Sequence, residues 1–460
     1  MEDPALLIRP QDYSLLTDLY QLTMAACYAG EHIDQRRASF ELFVRRLPEN
    51  FGYLIAMGLA QALEYLEQFR FTAEQIAALQ STGIFTHAPD RFWDLLAGAS
   101  FTGDVWAVPE GTAIFAHEPL LRIEAPLWQA QIAETYLLNT LNYQTLIATK
   151  AARLRDIAGK DAKLLEFGTR RAFSPQGALW AARAALAGGL DATSNVLAAL
   201  QLGQTPSGTM AHSLVMALSA LEGSEDQAFM GFHRYFPGAA LLIDTYDPIA
   251  AAQRLAVKVQ SGEMTVNAIR LDSGDLADLS KTVRSLLPQV FIFASGDLDE
   301  YEIARLQAEG ADIQGYGLGT KLVTGTPVNG VYKLVDIDGI PVMKSSSGKA
   351  TYPGRKQIFR QLGSDGVSDR LGLVTEPPAV GEQPLLQLVM KQGERIEPPE
   401  SLSTIAQRAR NSVSSLGQTV RCIEQPAAIA PQISLGLQSL TAQTQDKIHS
   451  LYTGQNSPTA

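Results

Sequence analysis

The stretch from residue 139 to residue 328 repeats one arrangement, a short apolar run that stops at a polar turn. The five pairs of run and turn are KLLEF with GTRRA, ALLID with TYDP, NAIRL with DSGDL, VFIFA with SGDLD, and DIQGYG with LGTK. Four of the turns lead into a predicted helix, and strand, loop and helix repeated in this way predict parallel strands with helical crossovers. We therefore expect an irregular or incomplete α/β barrel, whose chemistry gathers at the carboxyl ends of its strands.

Two segments of different character flank this predicted catalytic domain. Residues 1–138 are predicted to form a mixed α+β domain, with helices in DYSLLTDLYQLTMAACY and GYLIAMGLAQALEYLEQF, a strand in ASFELFVRRLP and short strands in VWAVPEGTAIFAHEPLLRIEAP. Residues 329–460 are predicted to form a C-terminal segment. Its β hairpins, in GVYKLVDIDGIPVMKSSSGK with DG and SG turns, return to the N-terminal domain, and helices in SLSTIAQRARNSVSSLGQTVRCI and the tail QNSPTA follow.

The charge and the cysteine content exclude several kinds of partner and environment. The formal net charge is -11, which does not favour nucleic acid or an anionic membrane as a partner. The chain has two cysteines and no CxxC motif, as expected in a reducing compartment. It shows neither a signal pattern at its start nor an apolar run near the ~18 residues of a membrane helix. We expect a cytoplasmic protein.

Two adjacent arginines, Arg170 and Arg171, follow the first predicted barrel strand in EFGTRRAFSP. Guanidinium groups side by side repel each other unless an anion holds them, so a phosphate or carboxylate ligand would fit. A pair of surface arginines that face internal carboxylates explains the same residues. The pair alone leaves both interpretations open.

Acidic residues occur in pairs after two other predicted strands, in DTYD (244–247) and RLDSGD (270–275). Two acids three residues apart can bind ribose hydroxyls or a magnesium ion, and the glycine of RLDSGD lets backbone N–H groups approach a ligand. An aspartate that caps the following helix is the simpler explanation for one acid. Capping does not explain the second acid of each pair.

The loops ASGDLD and GYGLGTK have the composition of phosphate cradles, because glycines and a hydroxyl residue lie between a strand and a helix. Any tight turn also selects glycine, and neither loop is a Walker A motif. Together with the acidic loops they fit a ligand with ribose hydroxyls, a terminal phosphate and a metal-bound pyrophosphate. Phosphoribosyl pyrophosphate has all three.

His212, one of six histidines, lies in GTMAHS at the predicted start of a helix. A buried or helix-capping histidine is the simpler interpretation. The alternative is a nucleophile or phosphate acceptor, because an imidazole with a reference pKa of about 6.5 is mostly neutral at pH 7.

With TDLYQLTMA, EFGTRRA, GTMAHS, DTYD, RLDSGD, ASGDLD and GYGLGT in this order, the chain strongly resembles the nicotinate phosphoribosyltransferase family, from about Tyr13 to at least Arg360. The resemblance implies an irregular α/β barrel with an N-terminal domain, and a homodimer with shared active sites. It also implies an ATP-coupled ligase that makes nicotinate mononucleotide and pyrophosphate from nicotinate and phosphoribosyl pyrophosphate, with Mg²⁺, at the entry of nicotinate into NAD salvage.

The resemblance also implies roles for individual residues. His212 matches the phosphorylated histidine, and Arg270 and Asp272 complete the catalytic group. The residues implied to contact nicotinate are Tyr20 from the neighbouring subunit, Phe167, Arg170, Ser194, Thr209 and Arg270. Those implied around phosphoribosyl pyrophosphate are Arg171, Ser273, Asp275, Ser295, Gly296, Asp297, Gly317, Gly319 and Thr320, and Asp272 and Asp275 are the implied Mg²⁺ ligands.

Ser194 bears on the choice of substrate. The related nicotinamide enzyme has an acidic side chain at the corresponding point, which would repel a carboxylate, whereas a hydroxyl can donate to it. Nicotinate is therefore favoured, with the nicotinamide enzyme of the same fold as the alternative. A quinolinate enzyme should need more basic residues, and a barrel aldolase should need a Schiff-base lysine or a metal cluster. A non-catalytic phosphoribosyl-binding regulator would have no need of His212 and both acidic loops.

Overall fold

The computed structural model describes residue 6 and residues 8–345, 351–363 and 366–453. The chain forms two compact units. The first comprises Met1–Leu146, Pro327–Ser401 and Ser414–Ala460, and the second comprises Ile147–Thr326 and Leu402–Val413. The chain passes from the first unit to the second between Leu146 and Ile147, inside the helix Glu134–Ala158. In the described part of the chain, no helix combines the length and apolar character that a membrane span requires.

The second unit is built on a six-stranded sheet in which every neighbouring pair is parallel. Its strands are β1 (Lys163–Glu166), β2 (Ala192–Thr193), β3 (Leu241–Leu242), β4 (Ala268–Leu271), β5 (Phe291–Ala294) and β6 (Gly315–Leu318). The order across the sheet is β2-β1-β6-β5-β4-β3. Among the described residues, β2 and β3 are edge strands that do not pair with each other, so the barrel is open. The predicted α/β class is confirmed.

The sequence pattern predicted five of these strands and missed β2. This strand has only two residues, Ala192 and Thr193, between GGLD and SN. So short a segment shows neither an apolar run nor an alternation, and its pairing with β1 is what makes it a strand.

Helices follow the strands of the second unit, as the crossovers of a parallel sheet require. Their bounds are Pro175–Ala187, Val196–Gln201, His212–Glu222, Glu225–Tyr235, Pro248–Gln260, Leu276–Leu286, Glu300–Ala308, Thr320–Val323 and, from the C-terminal segment, Leu402–Ser414. Several begin at a side-chain cap. Ser174, Asn195 and Asp299, for example, each accept a hydrogen bond from a backbone N–H of the first helical turn.

The first unit contains a seven-stranded antiparallel sheet. Its strands, in spatial order, are Ile340–Pro341, Gly330–Ile337, Arg37–Val44, Pro119–Pro126, Asp104–Ala107, Gln387–Lys391 and Glu394–Arg395. A four-stranded sheet contains Glu382–Pro384, Lys356–Gly363, Gly366–Leu373 and Gln432–Ile433, and Leu54–Ile55 pairs with Ala113–Ile114. The helices are Leu19–Gly30, Leu59–Glu67, Ala73–Ser81, Asp90–Ala97, Leu127–Ile132, Gln418–Arg421 and Leu435–Thr453, and Pro10–Leu15 is a 3-10 helix.

Two helix predictions in the first unit are wrong in part. The segment DYSLLTDLYQLTMAACY is divided into the 3-10 helix Pro10–Leu15 and the helix Leu19–Gly30, because Asp18 has an extended backbone. GYLIAMGLAQALEYLEQF begins as the strand Leu54–Ile55, and its helix starts only at Leu59. A short apolar run fits a buried strand as well as a helix, so periodicity could not separate the two.

The predicted DG turn is present, because Asp338 and Gly339 join two paired strands with positive φ at both residues. The predicted SG turn and the tail QNSPTA lie outside the described residues.

Candidate functional site

The carboxyl ends of the six parallel strands lie along one edge of the sheet. Glu166, the last residue of β1, pairs with Thr193 of β2 and with Leu318 of β6. The residues that follow these strands therefore lie at one level. The first polar, aromatic or glycine residues beyond each strand along this edge are Phe167, Ser194, Asp244, Asp272, Ser295 and Gly319.

Each of the two acidic pairs contains one acid that caps a helix and one that caps no helix, which we call the free acid. Asp247 and Asp275 are the caps, since the Oδ1 atom of each accepts hydrogen bonds from two backbone N–H groups of the following helix at 3.0–3.2 Å. The capping interpretation is therefore right for one acid of each pair, the one nearer the helix, and it leaves the other acid unexplained. Asp244 and Asp272, the first acid of each pair, do not cap a helix, so capping does not explain them.

Asp244 holds the loop that carries Asp272. Its Oδ2 atom accepts hydrogen bonds from Asp272 N and from Ser273 Oγ, both at 2.8 Å. The residue is buried, and its Oδ1 atom has no hydrogen-bond partner among the described residues. Asp244 is not among the predicted site residues, although DTYD contains it. Its position two residues beyond β3, level with Asp272 beyond β4, was the available signal.

Asp272 is also tied to the loop that follows β5. Ser295 Oγ donates to Asp272 Oδ1 at 2.5 Å. Gly296 has φ +96°, and a Cβ added there would lie 2.2 Å from the main-chain oxygen of Asp272. The next residue, Asp297, has φ +49°. The predicted ribose loop and the predicted phosphate loop are therefore in direct contact.

His212 is the first residue of the helix His212–Glu222, and Ala211 occupies the cap position. Its Nδ1 atom lies 3.1 Å from Thr245 Oγ1, and its Nε2 atom lies 3.8 Å from Asp272 Oδ2. The side chain is 39% exposed. The imidazole is therefore neither a cap nor a core group, and it lies beside the free acid of RLDSGD. Thr245 is a second residue that the sequence analysis missed.

Phe167 and Arg270 form an aromatic and cationic surface at the same edge. The guanidinium carbon of Arg270 lies 5.9 Å from the centre of the Phe167 ring. Behind the ring lies Gly317, where a Cβ would come within 2.6 Å of ring carbons. Arg270 Nη2 donates to Met210 O at 2.9 Å, which ties the segment that contains Thr209 to β4. Burial lowers the pKa of Arg270, while Asp272 and Asp244 act in the opposite direction.

Arg170 and Arg171 are exposed in the loop after β1. Neither forms an ion pair with a carboxylate in the described ranges, so the interpretation that they face internal carboxylates has no support there. Arg170 lies close enough to Arg270 to lower the pKa of Arg270 further. Two cationic side chains at this edge, neither of them paired with an acid among the described residues, favour an anionic ligand.

Ser194 begins the loop after β2 and lies beside GTMAHS. Its N–H donates to Glu166 O at 2.9 Å. A Cβ added at Gly208 would lie 3.9 Å from Ser194 Cβ, which is ordinary van der Waals contact. The structure therefore brings Ser194 close to the segment that leads through Thr209 to His212.

Gly319 and Thr320 begin the four-residue helix Thr320–Val323 after β6. Lys321 Nζ donates to Asp299 Oδ2 at 3.0 Å. Lys150 Nζ donates to the main-chain oxygens of Lys321 and Thr324 and so holds the carboxyl end of this helix.

Tyr20 belongs to the first unit, on the helix Leu19–Gly30, and is about half exposed. Its hydroxyl donates to Glu134 Oε2 at 3.1 Å. Burial, with a further contribution from the Glu134 charge, raises the pKa of Tyr20 to about 12. Its contact with nicotinate stays a prediction.

A metal ion would need oxygen atoms from a substrate to complete its coordination. Within the described ranges, no group of three or more His, Cys, Asp or Glu side chains is arranged to hold a metal. Mg²⁺ is commonly bound by one or two carboxylates together with substrate phosphates. Asp272 and the unpaired Oδ1 atom of Asp244 fit that requirement, whereas Asp275 Oδ1 is engaged in the helix cap.

Comparison with known proteins relates the chain to one family. Residues 15–142 match the nicotinate phosphoribosyltransferase N-terminal domain, and residues 162–362 match the nicotinate phosphoribosyltransferase family. The chain is 41% identical to a nicotinate phosphoribosyltransferase of Mycobacterium tuberculosis over 444 residues, which cover 93% of each protein. It is 45% identical to that of Bacillus subtilis over 364 residues, which cover 75% of this chain and 73% of the relative.

A solved structure agrees with these sequence matches. The crystal structure of human nicotinic acid phosphoribosyltransferase superimposes with a TM-score of 0.82 at 31% identity, and the match covers 93% of this chain and 99% of the human one. The nicotinate-nucleotide pyrophosphorylase of Pyrococcus furiosus shares the fold, with a TM-score of 0.73 at 24% identity over 90% of this chain and 98% of the other.

Proposed function

This chain belongs to the nicotinate phosphoribosyltransferase family, and we propose that it couples its reaction to ATP hydrolysis through phosphorylation of His212. The reaction joins nicotinate to phosphoribosyl pyrophosphate, gives nicotinate mononucleotide and pyrophosphate, and begins NAD salvage from nicotinate. The observation that carries the coupling proposal is the partly exposed imidazole between Thr245 and the free acid Asp272.

Nicotinate binds, in this proposal, against the Phe167 ring. Aromatic rings stack favourably, and a guanidinium is the best side chain for a carboxylate. Arg270 and Arg170 supply the positive charge for the nicotinate carboxylate, and Thr209 and Ser194 supply hydroxyl groups. Support comes from the position of Arg270 over Phe167 and from the lack of an acidic partner for Arg170 in the described part of the chain. Tyr20 of the partner subunit stacks on the face of the nicotinate ring opposite Phe167.

Phosphoribosyl pyrophosphate lies, in this proposal, across the loops after β4, β5 and β6. The residues assigned to the ribose are Asp272, Ser273 and Asp275, and Asp272 is also assigned to the metal. The groups assigned to the phosphates are Arg171, Ser295, Gly296, Asp297, Gly317, Gly319 and Thr320. Contact between Gly296 and Asp272 supports a single continuous site for sugar and phosphates.

The chemistry depends on charge and position. Departure of pyrophosphate leaves positive charge on the ribose, which the Asp272 carboxylate stabilises electrostatically. The pyridine nitrogen then attacks C1 of the ribose with its lone pair, and since that nitrogen carries no proton, no general base is needed. When bound, Mg²⁺ would neutralise charge on the leaving pyrophosphate, and Asp272 and Asp244 are the residues that would hold it.

The coupling step uses the two ring nitrogens of His212 differently. With the proton on Nδ1 donated to Thr245 Oγ1, Nε2 carries the lone pair. Nε2 attacks the γ-phosphorus of ATP, a P–N bond forms, and the bond to the departing ADP breaks. Water later cleaves the P–N bond and releases inorganic phosphate. While present, the phosphoryl group adds about 1.5 to 2 negative charges beside the pyrophosphate site, which favours a bound Mg²⁺ there.

An activity assay tests this proposal. Pyrophosphate release is measured with nicotinate, nicotinamide or quinolinate, with and without ATP. We expect release that depends on nicotinate, increases with ATP and loses the ATP stimulation in His212→Ala, while His233→Ala, on a neighbouring helix, serves as the matched control. Faster turnover of nicotinamide would contradict the assigned substrate. Full ATP stimulation in His212→Ala would contradict the phosphohistidine.

A further inference from the structure

Glu166 is a buried acid at the carboxyl end of β1 that the mechanism above does not use. The residue is 1% exposed, and among the described residues its carboxylate bonds to Gly168 N and Thr193 Oγ1 and forms no ion pair with a lysine or an arginine. Burial raises the pKa of this carboxyl group. A buried acid without a cationic partner is costly, so hydrogen bonds must keep it in place.

The hydrogen bonds of Glu166 join two loops of the proposed nicotinate site. One carboxylate oxygen accepts from Gly168 N and the other from Thr193 Oγ1. The main-chain oxygen of Glu166 accepts from Ser194 N at 2.9 Å. The Phe167–Arg170 segment and the Ser194 loop are therefore both bonded to this one residue.

Further hydrogen bonds link Thr193, the partner of Glu166, to the segment that leads to His212. Thr193 Oγ1 accepts from Asn195 N at 2.9 Å, and Thr193 O accepts from Ser207 N at 2.9 Å. Gly168 is fixed as well, since a Cβ there would lie 2.2 Å from Val323 Cγ1. Small movements of this carboxylate would therefore change the distance between the Phe167 ring and the hydroxyl of Ser194.

The loops of the sugar and phosphate site are held by a different acid. Asp244 accepts hydrogen bonds from Asp272 N and Ser273 Oγ, and Ser295 donates to Asp272. Within the described part of the chain, the hydrogen bonds of Glu166 go to Gly168, Thr193 and Ser194 and not to these residues. A perturbation of Glu166 should therefore affect one substrate and spare the other.

From these contacts we propose that Glu166 is a positioning residue for nicotinate, which fixes the Phe167–Arg170 segment relative to Ser194 and so sets discrimination between nicotinate and nicotinamide. The inference rests on the proposed nicotinate site. It assigns to Glu166 no contact with substrate.

The test compares Glu166→Ala, Glu166→Gln and Thr193→Val in steady-state kinetics with both substrates varied. We expect Glu166→Ala to raise KM for nicotinate about tenfold, a factor that corresponds to about 1.4 kcal/mol, with KM for phosphoribosyl pyrophosphate unchanged. The preference for nicotinate over nicotinamide should also fall in Glu166→Ala. Glu166→Gln should recover most of the affinity, because its oxygen can accept from Gly168 N while its NH₂ group donates to Thr193 Oγ1.

Thr193→Val removes one of the two side-chain connections of Glu166, together with the bond that Asn195 N donates to Thr193 Oγ1, and keeps the shape of the residue. It should raise KM for nicotinate less than Glu166→Ala does, and it decides the matter if Glu166→Ala does not fold. Asp191→Asn is the matched control, because Asp191 accepts from Leu164 N at 2.7 Å and so joins the same two strands at their opposite ends. It should leave both KM values unchanged.

The outcomes separate this inference from the proposed function. An unmodified protein without nicotinate-dependent turnover would overturn the proposed function. If the unmodified protein is active and the KM for nicotinate is unchanged in Glu166→Ala and Thr193→Val, only the positioning role is overturned. Equal increases of both KM values would also overturn it, because they would mean a general structural effect.

Discussion

Gly296→Ala is expected to displace Asp272 and weaken the binding of phosphoribosyl pyrophosphate. Two effects add at this position. The backbone has φ +96°, which an L-residue adopts at a cost of about 1–2 kcal/mol. The new Cβ would also lie 2.2 Å from Asp272 O, so this oxygen must retreat to at least 3.0 Å, the shortest distance that real Cβ contacts show.

Gly310→Ala is the matched control for the backbone effect. Gly310 lies after the helix Glu300–Ala308 with φ +71°, and nothing lies within 4 Å of a Cβ built there. It should carry the same backbone cost of about 1–2 kcal/mol and no close contact. The close contact at Gly296 should add about 1–3 kcal/mol, the usual cost of overpacking.

The assay combines thermal unfolding with kinetics. For a unit of this size, each kcal/mol lowers the unfolding midpoint by about 2–4 °C, so Gly296→Ala should unfold at a clearly lower temperature than Gly310→Ala. A catalytic group misplaced by about 1 Å can lose activity by a factor of about 100. We therefore expect kcat/KM for phosphoribosyl pyrophosphate to fall by about 10- to 100-fold in Gly296→Ala and to stay unchanged in Gly310→Ala. Equal midpoints and equal kinetics in the two variants would refute the reasoning.

Three further predictions concern substrate choice, pH and assembly. Ser194→Asp should raise KM for nicotinate and improve turnover of nicotinamide, because an added carboxylate repels the substrate carboxylate, whereas Ser285→Asp at an exposed position should change neither. Burial raises the pKa of Glu166, so the folded chain holds the carboxyl proton more tightly than the unfolded chain does. As the pH rises from about 4.3 through the higher folded pKa, the wild type should therefore lose thermal stability relative to Glu166→Gln. A gain of stability over this range would contradict the direction of the shift. Mixed dimers of Tyr20→Ala and His212→Ala subunits should recover part of the ATP-stimulated activity that each variant lacks alone, and verified mixed dimers without that recovery would count against a shared site.

The sequence was sufficient to locate most strands of the second unit and the polar residues at their ends. Apolar runs such as NAIRL and VFIFA are local signals, and a residue that follows a buried strand must lie at its carboxyl end. It was insufficient for β2, because two residues carry no periodicity. The break between Pro10–Leu15 and Leu19–Gly30 was missed for a related reason, since helical spacing continues across it.

Which acid of each pair is free could not be read from the chain alone. Helix capping by Asp247 and Asp275 needs only a neighbour two or three residues away, so sequence could propose it. The bonds from Asp244 to Asp272 N and from His212 to Thr245 join residues about thirty positions apart, and these contacts depend on how neighbouring strands pair. By itself the sequence determined which chemical groups stand at the ends of the strands, because that follows from local periodicity. Only the tertiary structure decided which of those groups hold one another and which remain free for a ligand, because hydrogen bonds between loops depend on distances that no local pattern encodes.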